Sequence, residues 1–334
     1  MKKSDLNFDY PENLVAQFPV RPSRVMWVEN GVPSEISLYD LLQKIPAGDV
    51  LVLNDTKVLR RRVFVKHKDQ DLEFLFLDRL SNNEWQVLFP AREFEVGTEF
   101  ILPNEAKSTL IEKGLPQKIK VDRELLDLDF ENIGELPLPP YIQKARRERH
   151  NNSKDQTWYQ TAWAQQPGSF AAPTASLHFS SEDIAALKAR GVHVVQLTLH
   201  VGLGTFLPVK VEDLDQHQMH KEIYSVSADV WNLVKSKREE SRGIWSLGTT
   251  TTRTLETVAR NGSLTGESDL LLQVGSEFKI VNRLLTNFHQ PESTLLALVS
   301  AFADLTTVQR CYRWAIDKKF RLFSYGDLSV WIKD

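Results

Sequence analysis

Val50–Leu51–Val52–Leu53–Asn54–Asp55–Thr56 is a four-residue apolar run that breaks into polar residues. Turn residues bound it, so it reads as a strand buried on both faces. Polar residues at the end of such a strand stand where open α/β sheets gather their ligands. Upstream, Val25–Met26–Trp27–Val28 and the Asn30–Gly31 turn predict a hairpin. Leu38 to Ile45 predicts a short helix that Pro46 ends.

Downstream the texture changes. From Val63 to about Leu128, short extended runs recur at 63–66, 72–77, 85–89, 98–102 and 117–121, with no convincing helix between them. That is the pattern of a small barrel or sandwich. Leu136–Pro137–Leu138–Pro139–Pro140–Tyr141 predicts a stiff extended connector. After residue 152 helices and strands alternate: a helix over 156–164, a helix from Ser180 to Gly191, and a strand over 192–199. Further on come a helix over 227–240, a strand over 244–247, a helix over 253–260, a helix from Ser293 to Phe302, and another opened by Thr306 or Thr307. The prediction is an α/β fold with a mainly parallel sheet covered by helices and an inserted small β-barrel. Residues 1–62 and 152–334 would form the α/β domain and 63–151 the barrel.

The chain has 334 residues, of which 42% are hydrophobic and 25% charged, enough for two globular cores. The longest strongly apolar run, Leu295 to Ala303, is too short to cross a bilayer. An acidic, aromatic stretch follows Met1–Lys2–Lys3 instead of an apolar signal region, so a cytosolic protein is expected. The single cysteine, Cys311, rules out a multi-cysteine zinc site and reads as a helical packing residue. A net charge of −3 neither requires nor forbids nucleic acid. Two local basic clusters stand out: Lys57 with Arg60–Arg61–Arg62, and Lys144 with Arg146, Arg147, Arg149 and His150. Each could touch phosphate or simply face solvent.

Four segments could carry chemistry. Ala171–Ala172–Pro173–Thr174–Ala175–Ser176–Leu177–His178 and Thr198–Leu199–His200–Val201–Gly202–Leu203–Gly204–Thr205–Phe206 set histidines beside small residues, hydroxyls and glycines. Glycines there let a ligand lie against the main chain. Gly202–Leu203–Gly204 lacks the third glycine and the helix of a dinucleotide fingerprint. Gly248–Thr249–Thr250 between a strand and a helix can receive anions or hydroxyls, or can be a capped turn. Asn287–Phe288–His289 pairs an amide with an imidazole, which can read a heterocyclic base or cap the next helix. His217 and His220 could share one helical face, but no third metal ligand is evident, and no metal is expected.

Taken together and in order, Leu53–Asn54–Asp55–Thr56, the Ala172–Phe179 and Leu199–Phe206 segments, Met219–His220, Gly248–Thr249–Thr250, Thr286–Asn287–Phe288–His289 and Phe323–Ser324–Tyr325–Gly326–Asp327 resemble the S-adenosylmethionine:tRNA ribosyltransferase-isomerases of queuosine synthesis. The resemblance spans nearly the whole chain. It implies that S-adenosylmethionine is consumed as a ribosyl donor and is not a resident cofactor; none is expected. The acceptor would be the aminomethyl group of a 7-deazaguanine at the tRNA wobble position. The products would be epoxyqueuosine in tRNA, adenine and methionine. The sulfonium would acidify the neighbouring ribose carbon. A base, an acid for adenine and a water-poor pocket would then be needed.

Within that resemblance Asp55 or His178 is expected as base, and His200 or His289 for proton delivery or base orientation. Gly202, Gly204, Thr249 and Thr250 would line the donor pocket. Lys57, Arg62, Arg146, Arg147 and Arg149 would contact tRNA phosphates, and the family implies a monomer. The chain departs from the family pattern at Arg60, Arg61, Ser176, Gln273, Val274, Ser276, Asn282 and Gln290. A relative that binds tRNA with altered or lost catalysis is therefore the alternative. A methyltransferase is disfavoured, because no glycine-rich loop follows an early strand with an acidic partner beyond it.

Overall fold

The computed structural model describes residues 1–202, 204 and 209–333. Leu203, Thr205 and Phe206 of the glycine-bearing motif lie outside the described residues. In chain order the elements begin with β1 (Arg24–Glu29), β2 (Val32–Ser37), α1 (Leu38–Lys44), β3 (Val50–Asn54), β4 (Thr56–Val58), β5 (Arg62–His67) and β6 (Gln70–Arg79). Then come β7 (Glu84–Leu88), β8 (Glu99–Ile101), β9 (Lys107–Glu112), β10 (Gln117–Val121), α2 (Asp127–Ile133), α3 (Pro140–Arg146) and α4 (Asp155–Trp158). Next are β11 (Gln166–Ser169), α5 (Ser181–Ala189), β12 (His193–Leu199), β13 (Glu222–Ser225), α6 (Ala228–Glu239), β14 (Ile244–Leu247) and α7 (Thr249–Asn261). The last are β15 (Thr265–Ser268), β16 (Arg283–Asn287), α8 (Thr294–Ala303), α9 (Leu305–Asp317) and β17 (Leu328–Ile332).

Two compact units result. One comprises 1–57, 139–148 and 157–334; the other 58–138 and 149–156. Among the described residues the first unit carries a nine-stranded sheet in the order β15-β13-β12-β3-β14-β16-β17-β1-β2. β12, β3, β14 and β16 run parallel side by side, and β17 is parallel to β1. The other pairs are antiparallel, so the sheet is mixed around a parallel centre. The β1–β2 pair at one edge is a hairpin; the other antiparallel pairs join strands distant in the chain.

Strand β3 shows why the sequence needed an unbroken apolar run. Val50 and Val52 enter one core with Leu255 and Val258 of α7, while Leu51 and Leu53 enter the other with Leu41 of α1 and Leu187 of α5. Successive side chains point to opposite faces, and both faces here are covered. Ser37 and Ser180 cap α1 and α5 through their side-chain oxygens, as their spacing to Asp40 and Asp183 dictates.

The second unit is a closed antiparallel barrel, β10-β7-β6-β5-β8-β9. Its core is aromatic, with Phe74, Phe76, Trp85, Phe89, Phe100 and Phe130 buried together. β9 was missed in the sequence because its run of Lys, Ser and Thr carries few apolar residues.

Several expectations are corrected. The helix expected over 156–164 is only the single turn α4, because Gln160 to Gln165 form turns and loop instead. α7 starts at Thr249, four residues before the expected Arg253. Pro140 does not extend the connector; it opens α3, where a proline's fixed backbone angle suits the first turn. Pro139–Glu148 belongs to the first unit, and the barrel unit begins at Val58. Tyr141 explains the first point: its hydroxyl bonds Ser324 Oγ and its ring meets Phe323 at 5.2 Å.

Candidate active site

The four central strands end on one edge of the sheet. Asn54, at the end of β3, ties them together there. Its Oδ1 accepts from the Leu199 amide at 3.1 Å, and its Nδ2 donates to the Leu199 carbonyl at 3.0 Å and to Thr250 Oγ1 at 3.4 Å. Gly248, with φ +98°, turns the chain from β14 directly into α7, a conformation other residues adopt at a cost. The first turn of α7 therefore presents its backbone amides at this edge.

A cavity of about 510 Å³ opens at the same place, within the first unit. Thr249, Thr250 and Arg253 of α7 line it, as do Thr286 to His289 at the end of β16, and His217, His220 and Glu222 before and within β13. Tyr141 of α3, Tyr159 and Phe323 add aromatic faces. The chemistry available is a helix N-terminus, hydroxyls, imidazoles, carboxylates and rings around a nucleoside-sized space.

The expected site residues do not all reach this cavity. Thr249, Thr250, Gly204 and His289 line it. His289 is buried, its Nε2 lies 2.7 Å from Thr286 Oγ1, and its amide donates to the Tyr312 hydroxyl at 3.0 Å. Burial pushes its imidazole down to about 3, so it is neutral at ordinary pH. Gly204 is not there to admit a ligand to the backbone: a Cβ on it would meet the His220 ring at 2.9 Å. Gly202 sits outside the lining, and its amide donates to Glu222 Oε1 at 3.0 Å.

Asp55, His178 and His200 also sit outside the lining. Asp55 accepts from Thr198 Oγ1 at 2.7 Å, and burial, the largest influence, raises its carboxyl above the usual range. His200 lies 2.8 Å from Thr56 Oγ1, with its ring packed on Gly168 where no Cβ would fit; burial lowers its imidazole. His178 is enclosed between Ser23 and Asn287.

Sequence reading passed over Arg253 and Glu222. They form a buried ion pair on the cavity wall, and burial lowers Arg253 to about 10, which leaves it charged. Arg253 stands one helical turn beyond Thr249 and Thr250, so the i, i+3 and i, i+4 spacing was the available signal. His217 and His220 both line the cavity but from a non-helical segment, so the i, i+3 spacing does not put them on one helix face. Among the described residues no group of three or more His, Cys, Asp or Glu is placed to hold a metal.

The basic residues divide. Arg62 is corrected from phosphate contact to core residue: it is 1% exposed and bonds Glu135 at 2.8 Å and the Arg149 carbonyl. Barrel closure at the start of β5 buries it. Arg61 is likewise buried, over the Phe130 ring at 4.0 Å and paired with Asp127. Lys57, Arg147 and Arg149 are exposed. Arg146 donates to the Gln17 carbonyl and lies 4.7 Å over the Phe18 ring.

Of the departures from the family pattern, Gln290 alone lines the cavity among the described residues. Ser176 is fully buried outside it. Gln273 and Ser276 still close a turn, with a 2.8 Å backbone bond. Asn282 accepts from the Ile244 amide at 2.8 Å, at the opposite end of the strands from the cavity.

Comparison with known proteins agrees across the length of the chain. A family described as "Queuosine biosynthesis protein" matches residues 3–331. The S-adenosylmethionine:tRNA ribosyltransferase-isomerase of Sulfurihydrogenibium sp. (strain YO3AOP1) is 38% identical, and the match covers 98% of both chains. The protein of the same name from Thermoanaerobacter sp. (strain X514) is 40% identical, again over 98% of both chains. The crystal structure of S-adenosylmethionine tRNA ribosyltransferase from Thermotoga maritima superposes with a TM-score of 0.55 and 29% identity, covering 98% of this chain and 99% of that one.

Proposed function

Because the chain belongs to the queuosine biosynthesis family, we propose that this cavity is where S-adenosylmethionine gives up its ribosyl group to a base of tRNA. The protein is an S-adenosylmethionine:tRNA ribosyltransferase-isomerase. In that reaction a proton leaves the ribose carbon beside the sulfonium and adenine departs. The aminomethyl nitrogen of the deazaguanine then attacks the ribose, and closure of the epoxide expels methionine.

The cavity suits this chemistry in three respects. The rings of Tyr141 and Tyr159 offer a permanent cation π faces, and the Glu292 carboxylate at the rim, 3.5 Å from Lys3, offers charge. The α7 N-terminus with Thr249 and Thr250 offers donors to ribose hydroxyls or a carboxylate. His289, neutral because it is buried and held by Thr286, can orient a heterocyclic base against the donors of this wall. We assign base orientation to His289, the one of the four expected residues Asp55, His178, His200 and His289 that lines the cavity.

For tRNA we place phosphate contacts at Lys57, Arg147 and Arg149. A stacking surface lies where Phe18, 43% exposed, meets Trp158 at 5.6 Å under the Arg146 guanidinium. The form we propose is a monomer working where tRNA is, in the cytoplasm. No described helix is long and apolar enough to cross a membrane.

The observation that carries the reading is the meeting of Thr249–Thr250, Asn287–His289 and Glu222–Arg253 on one cavity. The test is purified protein with S-adenosylmethionine and tRNA carrying the aminomethyl deazaguanine. Adenine release that requires this tRNA is expected. Binding without turnover would point to a diverged relative, and S-adenosylhomocysteine as product would point to methyl transfer.

A further inference from the structure

We propose that the side-chain oxygen of Asn287 reads a neutral amino group on a purine-like base in this cavity, and that His178 holds it in position to do so. The proposal rests on the cavity being the reaction site and deepens that reading.

Asn287 ends β16, lines the cavity and is 2% exposed. Its Nδ2 lies 3.0 Å from His178 Nε2, 3.1 Å from the Phe323 carbonyl and 3.3 Å from the Ser324 carbonyl. An amide oxygen could not sit against two carbonyl oxygens, so these neighbours fix which end of the amide is nitrogen. Oδ1 is then left buried with no hydrogen-bond partner among the described residues. A buried acceptor in that state carries a desolvation cost that a bound donor would relieve.

The same geometry fixes the tautomer of His178. Nε2 must accept from Asn287, so the proton sits on Nδ1, 2.6 Å from Ser23 Oγ. Burial holds the ring neutral, its pKa pushed down to about 3. Both ring nitrogens are thereby committed. His178 is a positioning residue acting through Asn287.

The donor's class follows from the surroundings. The partners of Asn287 are an imidazole and two carbonyls. No carboxylate is among them, so an ammonium would be buried unpaired, at high cost. An amino group on an aromatic ring brings N–H donors without charge. Two substrates could supply one: the 6-amino group of the donor's adenine, or the 2-amino group of the acceptor base in tRNA.

Two comparisons on the wild-type protein separate these sources. The first is calorimetric binding of S-adenosylmethionine against its analogue with hydrogen in place of the 6-amino group. The second is kcat/KM on tRNA whose acceptor base has or lacks its 2-amino group. One of the two pairs should differ about tenfold or more. In Asn287→Leu the difference should vanish, and in His178→Leu it should shrink while the protein stays folded. If Asn287→Leu does not fold, His178→Leu and the wild-type comparison still decide. Equal handling of both pairs by an active wild type overturns this proposal alone. No adenine release from wild type overturns the assigned reaction instead.

Discussion

Thr286 Oγ1 lies 2.7 Å from His289 Nε2, so a hydroxyl at the end of β16 anchors the imidazole that lines the cavity three residues on. His178, against Asn287 of the same strand, is the second buried imidazole at this edge. In both, burial lowers the pKa to about 3.

That pair predicts a pH dependence of stability. An unfolded histidine titrates near 6.5, so below that the unfolded chain binds protons that the folded chain refuses. Stability is then full above pH ~6.5 and falls as pH drops toward the folded values. The slope is up to about 1.4 kcal/mol per pH unit for each histidine. Urea midpoints between pH 6.5 and 4.5 should fall, and His178→Gln or His289→Gln should each remove part of the slope. A flat profile in that window would contradict the neutral, buried assignment.

The Glu222–Arg253 pair predicts strong coupling. Both side chains are below a tenth exposed. Glu222→Gln leaves the Arg253 charge buried without its partner and should cost roughly 3–5 kcal/mol. Replacing both with apolar residues of similar size should cost much less than the two single changes added together. A double-mutant cycle by urea unfolding reads this directly. Additive losses would mean that the pair is not coupled.

Arg62 and the exposed arginines should behave oppositely. Arg147→Ala and Arg149→Ala should each flatten the dependence of log tRNA affinity on log salt by about 0.7–0.9. Arg62→Met should leave that slope alone and destabilise the barrel unit by roughly 1–3 kcal/mol, since Glu135 loses its arginine partner and keeps only His150 and the Asn151 amide. Filter binding over a salt series, with thermal melts alongside, makes the comparison. A changed slope in Arg62→Met would return that residue to the phosphate-binding set.

Phe18 predicts a third pattern. Its exposed ring under Arg146 should stack a nucleotide. Phe18→Ala should weaken tRNA binding by roughly 1–3 kcal/mol with little change in salt slope. Affinity for S-adenosylmethionine should be unchanged. Loss of donor binding in this variant would instead place Phe18 in support of the cavity.

Much of the fold could be read from local pattern. The apolar run Val50–Leu53 announced a strand covered on both faces, and the structure divides those four side chains between two cores. Ser180 and Ser227 marked helix starts because capping is a local hydrogen bond. β9 and the brevity of α4 were not legible. β9 takes its place through pairing with β8 and β10, a long-range register that its own residues do not encode.

At the site, the chain by itself determined which segments matter: the Gly248–Thr250 turn, the Asn287–His289 strand end and the glycine-bearing loop are chemically marked by residue type alone. Tertiary structure alone decided which atoms face the cavity. By residue type the histidines looked alike, and only their placement separated them. His178 on Asn287 and His200 on Thr56 lie outside the cavity lining, and His289, anchored by Thr286, lies in it. Arg62 looked like a phosphate ligand until closure of the barrel buried it against Glu135. Residue type sets what a group can do. Burial and hydrogen-bond partners, which come from residues distant in the chain, set whether it is free to do it.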